Sequence, residues 1–220
     1  MQDMVQIARV AGLMPSQQRQ AVALALWRWH APVLAFELDE EWGIQSSALE
    51  SLFQLAAAAP GEESHRAYRQ AAAELCQAPL FASEVDPDTV QLIQLETITS
   101  LLTFGEFLDE PDSDKAERVV ETFCGLATYL DALVEGSFYS HPEEEARRQF
   151  LVGLAGDTRG RGYVASRNFV VESTCHDALQ TLATSTGLLD SSTGSELLAL
   201  CEDFGDELVT TLRFLRTTGH

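Results

Sequence analysis

Arg159, Arg161 and Arg167 fall within one short stretch, GDTRGRGYVASRN, alongside Gly156, Gly160, Gly162 and Tyr163. Planar guanidinium forks grip carboxylate or phosphate through paired N–H donors, and glycines let backbone amides approach an anion. A helix beginning near Ser166 or Asn168 would add the positive end of its dipole. Such a stretch suits an acidic ligand; the same arginines equally suit pairing with acids elsewhere in a strongly acidic chain. A second set suggests metal chemistry. Glu172 and His176 stand four apart and Glu62 and His65 three apart, so each pair shares one face of a helix, as in carboxylate-bridged metal bundles. Against this, Glu62 and Glu63 follow Pro60-Gly61 where a first helical turn attracts acids for dipole reasons alone, and no repeated motif supplies bridging glutamates. Cys175 adjoins His176, but neighbours on a helix point about 100 degrees apart and do not face each other.

Trp27, Trp29, His30 and Trp42 gather around Pro32. A proline kink frees a backbone carbonyl and indoles donate hydrogen bonds, so Trp27 and His30 are candidates to line a pocket for a flat ligand; the alternative is an aromatic core with His30 at its rim. The last candidate is electrostatic. Glu106, Asp109, Glu110, Asp112, Asp114, Glu117 and Glu121 form an acidic face suited to a basic protein partner, or simply to solvation. GxSxG, HExxH, P-loop and strand-linked GxGxxG signatures are absent, so no catalytic residue is assigned and no cofactor is expected.

The chain that must position these groups has 220 residues, with 34 Asp+Glu against 14 Lys+Arg and a formal net charge of -20. Nucleic acid and anionic membrane surfaces both require a cationic face, so neither is an expected partner. With 45% hydrophobic residues and a mean hydropathy of -0.04, there is ample apolar material for one core, expected as a single all-helical domain over 1–220, with a possible subdivision into 1–155 and 156–220. The acidity is uneven: residues 84–145 hold sixteen acids against Lys115 and Arg118, whereas 146–171 hold five arginines against Asp157. Met1 to Val10 lacks the pattern of a secretory signal, and the apolar runs Ala21–Trp27 and Leu52–Ala59 fall far short of the roughly 20 residues of a membrane span. Cys76, Cys124, Cys175 and Cys201 are widely separated, without a CxxC, and read as reduced, buried thiols. A cytoplasmic location follows as an expectation.

Helix signals punctuate the chain. Ser47 with Glu50 reads as a capping box, Asp86-Pro87-Asp88 as a cap with a first-turn proline, and Ser140 with Pro142 and Glu143 as a repeat of that device. Apolar residues from Val90 to Leu108 recur at steps of three and four. The signals predict helices over 3–13, 16–30, 33–41, 47–58, 62–77, 87–109, 113–135, 142–155, 166–186 and 194–216. Joining the second and third as one long N-terminal helix kinked at Pro32 leaves about nine, in an all-α, single compact multi-helix bundle. Gly105, Gly125, Gly153 and Gly205 lie inside these helices, where close packing would justify them.

Two stretches carry a family pattern. Gln17-Gln18-Arg19-Gln20 leads into AVALALWRWHAPVLAFELDEEWGIQSSALESLFQLA, and downstream TVQLIQLETITSLLTFGEFLDE precedes AERVVETFCGLATYLDAL. Over about residues 13–135 the chain resembles the bacterial YjaG-like family, known as domain of unknown function 416. The resemblance implies an all-helical cytosolic bacterial protein and brings no activity and no catalytic residues. Taken together, the sequence leads to an acidic interaction module of the immunity, inhibitor or escort type that binds a basic protein. A small helical enzyme or ligand-binding protein with an arginine-lined anion site, and a metal-binding helical bundle, are the alternatives. Oligomeric state is left open.

Overall fold

The computed structural model describes residues 2–140, 162–182 and 187–219. Among the described residues there are nine α-helices and no strand: α1 (Gln2–Ala11), α2 (Pro15–Arg28), α3 (His30–Leu34), α4 (Ser46–Ala57), α5 (Glu62–Leu75), α6 (Thr89–Asp109), α7 (Ser113–Ser140), α8 (Tyr163–Leu179) and α9 (Ser192–Thr217). Short 3-10 turns lie at Glu40–Trp42, Pro79–Ala82 and Leu188–Asp190. The expected helix 142–155, with Pro142 and Glu143 of its expected cap, lies outside what is described, and Ser140 is the last residue of α7.

Helix α2 is the axis of the bundle. Ten of its residues, from Gln18 to Arg28, are buried on every side, because α1, α4, α6, α7, α8 and α9 all pack against it. Its apolar run Val22–Trp27 therefore serves several interfaces at once, as a helix without a polar face must. Burial of this kind, repeated in Leu49, Phe53, Ile93, Phe104, Phe123 and Phe204, builds one continuous core, and removal of apolar surface from water is its main driving force.

The long kinked helix is in fact two helices. The break falls at Trp29, with φ -102° and ψ 3°, three residues ahead of Pro32, which sits inside the first turn of α3. Lacking an N–H, Pro32 offers no bond to the Arg28 carbonyl and its ring crowds that oxygen, so the chain tightens one step earlier and Trp29 N–H donates to Leu26 O at 2.9 Å. The displaced carbonyl meets α9: a Cβ built on Gly205 would lie 3.2 Å from Arg28 O and 3.1 Å from Ala31 Cβ. Close packing thus explains Gly205. It does not explain Gly125, where a Cβ would meet nothing within 4 Å, and Gly105 makes only ordinary contact with Tyr68; Gly153 is outside the described residues.

Other boundaries shift for local reasons. The expected helix 33–41 stops at Leu34, because buried Gln94 reaches from α6 to accept the role of cap, donating to Val33 O at 3.2 Å and Phe36 O at 3.3 Å. Asp39 then starts the first 3-10 turn by accepting from Glu41 N–H at 2.9 Å. The box at Ser47 and Glu50 does not form, since α4 starts one residue sooner with Gln45 as its cap. At α6 the cap is Asp88 rather than Asp86, in a reciprocal box with Gln91 at 2.8 and 3.0 Å. Cys76, expected in the core, ends α5 on the surface, while Cys124, Cys175 and Cys201 are buried and all four are free thiols.

Candidate functional site

The acidic face is the turn between α6 and α7. Apolar anchors fix it from below: Phe104 and Phe107 stack on the α6 side, Ala116, Val119, Val120 and Phe123 are buried on the α7 side, and Gln18 ties the start of α7 to α2 and α1, donating to Ser113 Oγ at 2.9 Å and Val10 O at 3.2 Å. With that side occupied, the acids face outward: Glu106, Asp109, Glu110, Asp112, Asp114 and Glu121 are exposed and Glu117 is half-buried. Asp112 caps α7 by accepting from Asp114 N–H at 3.0 Å. Cations are interleaved with these acids: Arg118 is exposed on α7, and Lys115 and Arg69 are bonded within the hairpin. Lys115 closes the end of α6 by donating to the Glu106 and Glu110 carbonyls, each at 3.2 Å, and Arg69 donates to Asp109 Oδ1 at 2.9 Å. Seven acids therefore stand on the turn and the flanking stretches of α6 and α7, with Lys115, Arg69 and Arg118 among them.

The arginine stretch meets a different environment from the one its composition suggests. Arg159 and Arg161 lie outside the described residues. Tyr163 and Arg167 share one acid: the Tyr163 hydroxyl donates to Glu207 Oε2 at 3.0 Å and Arg167 Nε to Glu207 Oε1 at 3.1 Å. Burial, then the adjacent Glu207 carboxylate, pushes the Tyr163 hydroxyl up to about 12. The helix begins at Tyr163, not near Ser166, and its free amides are already taken, because Asp131 of α7 accepts from Val164 N–H and Ala165 N–H, each at 2.9 Å. A carboxylate of the chain itself fills the place where an anionic ligand would bind, and α8 is capped by a tertiary contact. Burial raises the Asp131 carboxyl, opposed by these two donors.

Glu62, His65, Glu172 and His176 do not assemble. Among the described residues no group of three or more His, Cys, Asp or Glu is placed to hold a metal ion. Glu62 is exposed in the first turn of α5, and burial, followed by the charges of Arg19 and Arg69, lowers His65. His176 pairs with the Arg9 carbonyl through Nε2 at 3.1 Å. Glu172 is committed elsewhere: its Oε2 accepts from Arg28 Nη2 at 3.0 Å and from Gln6 Nε2 at 2.9 Å, and the Gln6 oxygen in turn accepts from the Cys124 thiol at 3.0 Å. This polar knot joins α1, α2, α7 and α8 in the centre of the bundle. Burial pulls Arg28 down, but the Glu172 carboxylate together with Cys201, Cys175 and Cys124 outweighs it, and the guanidinium stays above its usual range.

Residue-by-residue reading of the sequence missed Arg28 and Gln6 as partners in this knot, along with Asp131 and Glu207. One signal was present: Val164, Asn168, Val171, Glu172, Cys175 and Leu179 make the buried stripe of α8, and an acid on such a stripe demands a buried cation. Arg28, closing the apolar run of α2, was its natural counterpart.

The aromatic group around the break is packing. Trp27 stacks on His30 with centroids 5.0 Å apart, His30 meets Phe53 edge-on at 4.9 Å, and Trp29 stacks on Phe123 at 5.4 Å. Trp27 Nε1 donates to Glu202 at 3.0 Å. His30 Nε2 and Glu50 Oε2 lie 2.6 Å apart; burial raises Glu50, but its bonds to Gln54 and His30 prevail and hold the carboxyl below its usual range. The apolar cleft of about 520 Å³ between α4 and α5 is lined by Ile44, Ala48, Ala71, Leu75 and Pro79 among others, and by neither Trp27 nor His30. Among the described residues no helix is long and apolar enough to cross a membrane. No protein-family model, curated protein or solved structure matches the chain, so the candidate sites rest on their own geometry.

Proposed function

We propose that this chain is a helical protein–protein interaction module that binds a basic partner through the α6–α7 hairpin, in the manner of an immunity protein, an inhibitor or an escort. The observation that carries this reading is the hairpin's construction: seven acids on the turn and the flanking stretches of α6 and α7, against Arg118 exposed among them, with the inner side fixed by stacked phenylalanines, Lys115 bonded to helix-end carbonyls and Arg69 to Asp109. Like charges so concentrated on a rigid support create a field that speeds encounter with a cationic surface and makes it sensitive to salt. The competing readings have less to stand on, since Glu207 holds Tyr163 and Arg167 and the four metal candidates do not converge.

Native mass spectrometry of the protein isolated gently from its own cells at low salt tests the reading. A stoichiometric basic polypeptide is the expected companion. Its association with a quadruple variant, Glu106→Gln, Asp114→Asn, Glu117→Gln and Glu121→Gln, is expected to slow by about tenfold or more at low ionic strength. No retained polypeptide, or a partner whose on-rate is the same for the variant, overturns it.

A further inference from the structure

Cys175 and Cys201 are 26 residues apart in sequence, yet their sulfurs lie 3.9 Å apart in the core, where α8 packs on α9. Both side chains are closed off from solvent. A disulfide needs about 2.05 Å between sulfurs, so the two must close by about 2 Å. The remaining thiols are placed differently. Cys124 is engaged with the Gln6 side chain and Cys76 is on the surface. Arg28 supplies the second feature, because this buried guanidinium acts electrostatically on Cys175, Cys201 and Cys124 alike. A fixed positive charge beside a thiol pair favours the thiolate through which disulfide chemistry proceeds, although Glu172 opposes it at Cys175 and Glu202 at Cys201.

We propose that Cys175 and Cys201 are an oxidisable pair that closes to an intramolecular disulfide when transient opening of the α8–α9 interface admits a small peroxide, stapling α8 to α9 inside the core. Cys175 is the attacking sulfur. The hydrogen bond it shares with Cys201, with the charge of Arg28, holds its thiol below the usual range in spite of burial, while the same bond and burial push Cys201 well above it. The Cys175 thiolate attacks one peroxide oxygen, the O–O bond breaks, and the departing hydroxide takes up the proton released by Cys175 to leave as water. Cys175 is then a sulfenic acid. The Cys201 sulfur attacks that of Cys175, the S–O bond breaks, and a second water leaves with the Cys201 proton. Two thiols lose two electrons in total, and one hydrogen peroxide is reduced to two waters. The bond closes a loop of 26 residues and links the helix bearing Glu172 to the helix bearing Glu202, which bonds Trp27.

The test uses the full chain carrying Cys76→Ser, which removes the surface thiol and leaves the core untouched. After treatment with hydrogen peroxide the protein is unfolded in an alkylating reagent and mapped by non-reducing peptide mass spectrometry. A peptide linking Cys175 to Cys201, with Cys124 alkylated, is expected, together with a melting temperature raised by roughly 5–10 °C. With Cys201→Ser added, Cys175 should instead be captured as sulfenic acid by a dimedone probe. Recovery of Cys175 and Cys201 as alkylated thiols, at peroxide doses that oxidise Cys76 in the unaltered chain, overturns the proposal. So does a bridge to Cys124, or over-oxidation of Cys175 with no link. The map of the Cys76→Ser protein decides the matter even where the Cys201→Ser chain fails to fold.

Discussion

Two ion pairs of nearly equal length sit in opposite surroundings. Arg28 and Glu172 meet at 3.0 Å with their side chains 1% and 10% exposed, whereas Arg69 and Asp109 meet at 2.9 Å with 52% and 54% exposed. Distance alone would rank them together. The dielectric around them separates them: in the core the loss of one partner strands a charge that water cannot reach, while on the hairpin water replaces a lost partner at once. The same contrast divides the molecule. The knot around Glu172 joins four helices, α1, α2, α7 and α8, inside the core, whereas the acids on and around the α6–α7 turn stand mostly at the surface.

The sharpest way to break this comparison is Arg28→Met. It leaves Glu172 buried with Gln6 as its remaining donor, at an expected cost of about 3–5 kcal/mol, which for a chain of this size lowers the melting temperature by roughly 10 °C. The loss should depend on pH. Burial already raises the Glu172 carboxyl opposite Arg28, and removal of the guanidinium raises it further. A carboxyl raised in the folded state contributes stability that is full below the ordinary carboxylate range and is lost as pH rises through its folded value. Arg28→Met should therefore be most damaging at neutral pH and milder in mild acid, and Glu172→Gln added to it should recover part of the loss. Thermal melts at several pH values, in a double-mutant cycle, decide it; a loss independent of pH with no recovery would mean that the pair is not what stabilises the core.

A smaller effect sharpens the contrast between interior and surface within helices. Gly125→Ala, with open space around the new methyl, should gain up to about 1 kcal/mol from helix propensity. Gly205→Ala carries the same intrinsic gain but presses on Ala31 Cβ and Arg28 O at 3.1–3.2 Å, so it should gain less or lose. Denaturant melts of the two variants check the difference, and equal gains would show that α9 moves aside freely. Smallest of all, Asp109→Asn should change stability by less than about 1 kcal/mol, an effect that fades with added salt. A loss approaching that of Arg28→Met would remove the distinction between the two regions.

Much of the fold was legible because helix caps, prolines and apolar spacing act locally. Helices α5, α6 and α9 start and stop within about two residues of their expected ends, apart from their caps, since Asp88, Pro60-Gly61 and the stripe Leu197, Leu198, Cys201, Phe204 and Leu208 state their own geometry. The acidic face was legible too, as composition. Its exposure, and the fixing of Lys115 on helix-end carbonyls, depended on how α6 and α7 pack. Misreadings came where a distant side chain took over a local role. Gln94 ended α3 from α6, and Asp131 capped α8 from α7.

The sequence by itself determined that the chain is helical, that it is strongly acidic, and where most of its helices begin and end, because these follow from backbone preferences and charges carried by each residue alone. Tertiary structure decided which charges meet. Glu172 faces Arg28 across 144 residues rather than His176 across four, because a carboxylate on a buried stripe must find a cation in the same low-dielectric core. Cys175 and Cys201 meet for a related reason: helix packing, blind to distance along the chain, brings two small buried side chains to the same interface.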